Sequence, residues 1–278
     1  MTSFGSAISE QPLVQIKGLT KQYVQRRPFT REKFTVRALD NVNLTVGKGT
    51  TLGLLGESGA GKSTLVRCLA LLEAPSSGEI WFDGVNVLTL KKKGVSGLRR
   101  QIQIIFQDAS SALNPRLTAG EIIAEPLVIQ REGTKEQRRQ RTLGLMEQVG
   151  LPANAERKLP LDFSGGQRQR LAIARALALE PRLLIFDEAL SHLDLANQEI
   201  ILELLALLQK THALTYIHVS HDLRMLSGMT DEIAVMYESK VVEHKSTPEI
   251  FAHPEHAYTR DLLEAMPALE TICRERLA

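Results

Sequence analysis

The octet Gly56-Glu57-Ser58-Gly59-Ala60-Gly61-Lys62-Ser63 follows the apolar run Leu52 to Leu55 and precedes a helix-like stretch, Thr64 to Leu72. A strand that enters a glycine-rich turn and leaves as a helix narrows the fold more than any other feature of this chain. The spacing GxxxxGK followed by Ser or Thr is that of strand–loop–helix phosphate sites. Glycines allow a tight turn in which successive backbone N–H groups point at one anion, and the following helix adds the positive end of its dipole. Lys62 can then reach the β- and γ-phosphates of a nucleotide, while the Ser63 hydroxyl can ligate the Mg²⁺ that bridges them. A generic glycine-rich turn would require neither the lysine nor the strand and helix on the correct sides.

The chain has 278 residues, 43% of them apolar, which suffices for a large α/β domain with a subdomain and excludes disorder. A net charge of +2 argues neither for nor against nucleic acid or an anionic membrane. Met1 to Gln11 carries no basic start and no apolar stretch, and no segment approaches the ~18 uncharged apolar residues of a membrane span. The expectation is a chain that is cytosolic and soluble by itself. Cys68 and Cys273 lie outside any CxxC pattern and read as free thiols. The scattered histidines show no metal-ligand spacing.

Strand-like residues occur at Leu13 to Ile16, Val42 to Val46 and Gly78 to Gly84, which makes the first part β-rich. The basic stretch Gln25 to Lys33 reads as an exposed loop. From Thr118 to Gly150 the pattern turns helical, with Ile122, Ile123 and Leu127 and then Leu143, Met146 and Val149 around a charged segment. Apolar runs return at Leu183 to Phe186, Leu214 to Val219 and Ile233 to Met236, separated by helices such as Ala196 to Gln209. That alternation predicts a parallel sheet covered on both faces.

The run Leu183-Leu184-Ile185-Phe186 ends in Asp187-Glu188, placing two carboxylates at the carboxyl end of a strand, where α/β sheets hold ligands. Asp187 suits Mg²⁺, and Glu188 can polarise an attacking water, an effect worth about 10²–10⁴ in rate. The competing use of such acids is to cap the next helix.

Phe163-Ser164-Gly165-Gly166-Gln167-Arg168-Gln169-Arg170 resembles the signature of the ATP-binding cassette (ABC) ATPases, with Phe163 where leucine is commoner. The motif opens a helix expected at Gln167 to Leu179, so the Ser164 hydroxyl, the backbone at Gly165, Gly166 and Gln167, and the helix dipole converge on an anion. In the family that anion is the γ-phosphate of ATP held by a partner subunit. The resemblance implies an α/β P-loop NTPase cassette with a RecA-like parallel sheet core, an N-terminal antiparallel β part and an inserted α-helical subdomain. The ATPase domain would occupy 1–250, with the helical subdomain at about 108–165, and a short C-terminal extension 251–278.

Further positions match the family one by one. Tyr23 matches the aromatic residue that stacks on adenine, and Gln107 the glutamine that touches Mg²⁺ and attacking water. His221 matches the switch histidine at the γ-phosphate, and Ser191-His192-Leu193-Asp194 the segment that communicates across the cassette dimer. The stretch between Lys62 and Ser164 is too short for the coiled coil of DNA-repair relatives, which disfavours a nucleic-acid machine. A single P-loop argues against tandem cassettes, and the tail after His221 is too short for the regulatory barrel of sugar-importer ATPases.

Phe106 to Arg116 closely resembles a stretch of the dipeptide, oligopeptide and nickel importer ATPases, as does His253-Pro254-Glu255-His256-Ala257-Tyr258-Thr259-Arg260. Glu188-Ala189 in place of Glu-Pro, and the absence of a C-terminal cysteine cluster, lean towards the nickel-import branch over the peptide importers. The implied assembly pairs this chain with a second, distinct ATPase subunit and two integral membrane permeases, and indirectly with an extracytoplasmic solute-binding protein. It would lie at the cytoplasmic face of the inner membrane and use ATP and Mg²⁺. The segment Asp108 to Gln130 would form the groove for a permease helix. The rival from another class is a cytosolic, non-transport cassette that dimerises as a switch.

Overall fold

The computed structural model describes residues 11–26, 33–107, 112–191 and 193–265. β1 (Val14–Arg26) and β2 (Lys33–Val46) form an antiparallel ribbon that runs from Val14 opposite Val46 to Arg26 opposite Lys33. Its proximal half alternates: Val14, Ile16, Leu39, Val42, Leu44 and Val46 are buried, with polar residues between them facing water. The distal half projects past the core, leaving Val24, Phe34 and Val36 exposed. The strands therefore extend well beyond the short segments expected from composition and absorb both ends of the expected basic loop. Residues 27–32 lie outside the described residues. β3 (Thr51–Leu55) opens the second sheet, while β4 (Ser77–Phe82) and β5 (Val85–Asn86) complete the first in the order β2-β1-β4-β5.

The second sheet adds β6 (Ile102–Phe106), β7 (Leu183–Asp187), β8 (Thr215–Ser220), β9 (Glu232–Tyr237) and β10 (Lys240–Ser246), in the order β10-β9-β3-β8-β7-β6. Five strands run parallel, and β10 turns back along β9. Both faces are covered, so β7 has no polar residue before its last position. Leu183 and Ile185 enter the core shared with the antiparallel sheet, and Leu184 and Phe186 enter the core beneath the helices.

Helix α1 (Lys62–Leu69) lies in the first core, with Leu65, Val66 and Leu69 buried, and α2 (Lys92–Gln101) leads into β6. The second core gathers α3 (Ala119–Ile129), α4 (Lys135–Gln148), α5 (Gly165–Leu177) and α6 (Leu195–His212). Thr118 with Glu121, Thr134 with Gln137, and Ser164 with Gln167 make reciprocal caps that start α3, α4 and α5. α7 (Leu223–Ser227), α8 (Thr247–Ala252) and α9 (Ala257–Glu264) build a third core in which Ile250 and Tyr258 pack with Leu55, Ile233 and Val235. The boundary expected at residue 250 thus falls inside α8, and the chain through Tyr258 is part of the packed structure. Among the described residues no helix is long and apolar enough to cross a membrane.

Candidate functional site

Strand register places the chemistry on one edge. Leu55 stands opposite Ser220, Val219 opposite Asp187, and Asp187 opposite Phe106. The carboxyl ends of β3, β8, β7 and β6 therefore lie side by side, and the loops leaving them carry Gly56 to Ser63, His221, Glu188 and Gln107 along a single rim.

Gly56 leaves β3 against the backbone of β9, where an added Cβ would stand 2.4 Å from the Met236 carbonyl oxygen. Gly61 has φ +106, and a Cβ there would meet the Ala38 carbonyl oxygen at 2.4 Å. Close backbone approach at both glycines, with a positive φ at Gly61, forces the loop into its tight form. Glu57, Ser58 and Gly59 are exposed and Ala60 is buried, so the loop presents its outer backbone to solvent. No side chain caps α1, whose N-cap is Gly61, so its first-turn N–H groups remain for a ligand. Thr64 lies in that turn.

Lys62 is 5% exposed, and its Nζ donates to the carbonyls of Gly56 at 2.6 Å and Glu57 at 2.9 Å. Burial holds its pKa below the usual lysine value, against the opposing pull of Glu188, Asp187 and Glu57. The Ser63 hydroxyl donates to Asp187 Oδ1 at 3.2 Å. Burial pushes the Asp187 carboxyl up, partly countered by that hydrogen bond.

Glu188 has φ +53, the left-handed region that non-glycine residues rarely occupy. Its N–H donates to the Val219 carbonyl at 3.1 Å, and its own carbonyl accepts from Ser191 Oγ at 2.7 Å, which together fix the turn. The carboxylate comes within 3.9 Å of His221 Nδ1. Tyr23 stands on the neighbouring sheet; its hydroxyl donates to Glu73, and the Lys21 ammonium lies 4.9 Å from its ring centre.

Ser164 caps α5: its hydroxyl accepts from Gln167 N at 3.3 Å, and Gln167 Oε1 accepts from Ser164 N at 3.1 Å. Gly165 faces open space, whereas a side chain at Gly166 would meet Asn197 Oδ1 at 2.4 Å. Phe163 is buried in the helical core, the apolar anchor expected of it. Among the described residues no hydrogen bond or ion pair joins 164–167 to 56–63. His192 and 108–111, which the sequence reading singled out, lie outside the described residues.

Beyond them, an open groove of about 1060 Å³ includes Leu117, Ala124, Glu125, Val128, Ile129 and Arg139, with Val128 and Ile129 more than half exposed. Sequence reasoning missed the groups behind the phosphate loop, above all Tyr258, whose hydroxyl accepts the Glu57 N–H at 3.1 Å. The motif holding Tyr258 was visible, but its destination was not.

The ABC transporter family pattern matches residues 39–191. Over 261 residues the chain is 42% identical to a putative peptide import ATP-binding protein of Brucella ovis, covering 94% of this chain and 80% of that one. It is 41% identical over 267 residues to the dipeptide transport ATP-binding protein DppF of Haemophilus influenzae, covering 96% and 82%. Among solved structures it resembles a dimeric, post-hydrolysis form of the ATP-binding cassette MJ0796 bound to ADP and Pi. That match has a TM-score of 0.73 and 31% identity, covering 84% of this chain and 98% of that one.

Proposed function

The chain belongs to the ABC transporter family of ATPases, and from that premise we propose that it hydrolyses ATP to drive an importer of short peptides. One observation carries the chemistry: phosphate loop, acids, glutamine and histidine share the rim formed by β3, β8, β7 and β6. In this reading Gly56 to Thr64 cradle the phosphates, and Lys62 exchanges its loop carbonyls for phosphate oxygens. Tyr23, tied to the residues after α1, takes the adenine side.

Ser63 and Asp187 offer two hard oxygens already 3.2 Å apart, a donor set that fits Mg²⁺ and leaves its other positions to water and phosphate. Gln107 would complete the set. The metal, when bound, neutralises charge on the phosphates. Glu188 is the base that orients and deprotonates water, and His221, beside it, senses the γ-phosphate.

Among the described residues no hydrogen bond or ion pair joins the segment Ser164–Gln167 to its own phosphate loop, and in this reading it serves the ATP of a second cassette. Likeness to a dimeric cassette supports that arrangement. The working unit is a pair of cassettes, this chain with a distinct second ATPase subunit, docked on two permeases at the cytoplasmic face of the inner membrane. A solute-binding protein delivers cargo from outside. The groove at Val128 and Ile129 receives a permease helix.

Relatives named for peptide and dipeptide import favour peptides over the nickel branch to which Glu188-Ala189 leans. Uptake in cells lacking this chain decides: loss of labelled dipeptide uptake with nickel uptake intact is expected, and the converse restores nickel. A chain that fails to co-purify with any integral membrane protein would instead be a cytosolic switch.

A further inference from the structure

The C-terminal helix α9 reaches back to the phosphate loop. The Glu57 N–H that Tyr258 accepts belongs to the peptide joining Gly56 to Glu57. The carbonyl of that same peptide, Gly56 O, accepts Lys62 Nζ at 2.6 Å. A peptide is a rigid plane, so grips on its two ends fix its rotation. The Met236 backbone, close against Gly56, blocks the third direction.

Tyr258 is itself firmly seated. It is 8% exposed and stacks on Tyr237 with ring centres 4.3 Å apart and planes 25° from parallel. The start of α9 is latched by Glu243, 6% exposed, whose carboxylate accepts Glu255 N at 2.8 Å and His256 N at 3.1 Å. Lys245 lies 3.2 Å from the same carboxylate. Burial pushes Glu243 up, but those backbone N–H groups prevail and hold it below the usual carboxylate value.

We propose that Tyr258 is a positioning residue of the nucleotide site, holding the Gly56–Glu57 peptide in its phosphate-ready orientation when Lys62 leaves that peptide for the phosphates. While the site is empty, Lys62 and Tyr258 share the hold. Once a nucleotide arrives, the Tyr258 hydroxyl is the side-chain grip that stays. The inference rests on the nucleotide reading of the loop, and it makes the segment after β10 part of the ATP site.

Tyr258→Phe is the test, because it keeps the ring, the stack and the burial and removes one oxygen. In the purified full chain, the Kd for a fluorescent ATP analogue and the KM for ATP should rise together about three- to tenfold, the effect of losing one neutral hydrogen bond. The kcat should stay within about twofold, since the contact is alike in ground and transition states. Hydrogen exchange at the Glu57 amide should quicken while the α1 amides stay unchanged. An unchanged KM, an unchanged Glu57 exchange rate, or a fall in kcat alone overturns the proposal. So does a weaker Kd accompanied by a drop in Tm well beyond the ~2–4 °C that one lost hydrogen bond accounts for, which would mark a merely structural role. Lys62→Ala, measured alongside, separates the two levels: wild-type ATP binding there sinks the nucleotide reading itself. Lost binding there with Tyr258→Phe unaltered sinks only the role of Tyr258.

Discussion

His218 on β8 should make this protein measurably acid-labile. The residue is 1% exposed, and neither ring nitrogen has a hydrogen-bond partner among the described residues. Its ring stacks on Phe186 at 4.4 Å and 5°, with Tyr216 edge-on at 5.9 Å. Burial pushes its pKa down from 6.5 to about 3. The folded chain therefore keeps this ring neutral, while the unfolded chain protonates it near 6.5. Between those values the unfolded state binds the extra proton, so the contribution of His218 is complete above about pH 6.5 and shrinks as pH falls towards 3. From about pH 7.5 to about pH 5.5 the loss amounts to about 1.4 kcal/mol, close to one pKa unit's worth.

His218→Phe removes the titration and preserves the stack, and the cavity of about 320 Å³ beside the ring gives the larger side chain room. Urea unfolding of both proteins at the two pH values, compared at matched slope, isolates the term, because every other titrating group cancels. The wild type should lose about 1.4 kcal/mol more than the variant. Equal losses, or a His218 ring that titrates near 6 in the folded protein by NMR, would refute the reasoning.

Other outcomes follow from the rim and the cores. Glu188→Gln should keep ATP binding while hydrolysis falls about 10²–10⁴-fold, since the amide retains shape without basicity; undiminished steady-state turnover would remove Glu188 from that role. Phe163→Ala should cost about 3–5 kcal/mol in urea unfolding, because it opens a void in the helical core, and a cost below about 1 kcal/mol would mean the site collapses freely.

What could be read from the chain beforehand was local and periodic. The run leading into the phosphate loop and the run ending at Asp187 declare themselves because each is a short apolar run closed by a turn or an acid. The distal half of the long ribbon was missed although Phe34, Val36 and Ala38 alternate with Thr35 and Arg37, because Val24, Phe34 and Val36 point to solvent and no buried face marks that half. The basic stretch at its tip added a loop-like composition. α9 was unreadable for a different reason: it is short, and the value of Tyr258 lies in contacts with Glu57 and Tyr237, both remote in sequence. Cargo was the least legible of all. Ala189, the residue that tilted the reading towards nickel, is 4% exposed within the helical core, where it answers to packing and meets no substrate.

The doubly covered strand β7 carries one more implication. Its four apolar residues are sandwiched between two oily layers, and the first residue with any reason to remain near water is Asp187. Sliding the strand one place inward would drag a carboxylate into hydrocarbon and dehydrate it, at a cost of several kcal/mol. The acid that serves the phosphates is therefore also an end stop, and folding alone delivers it to the rim.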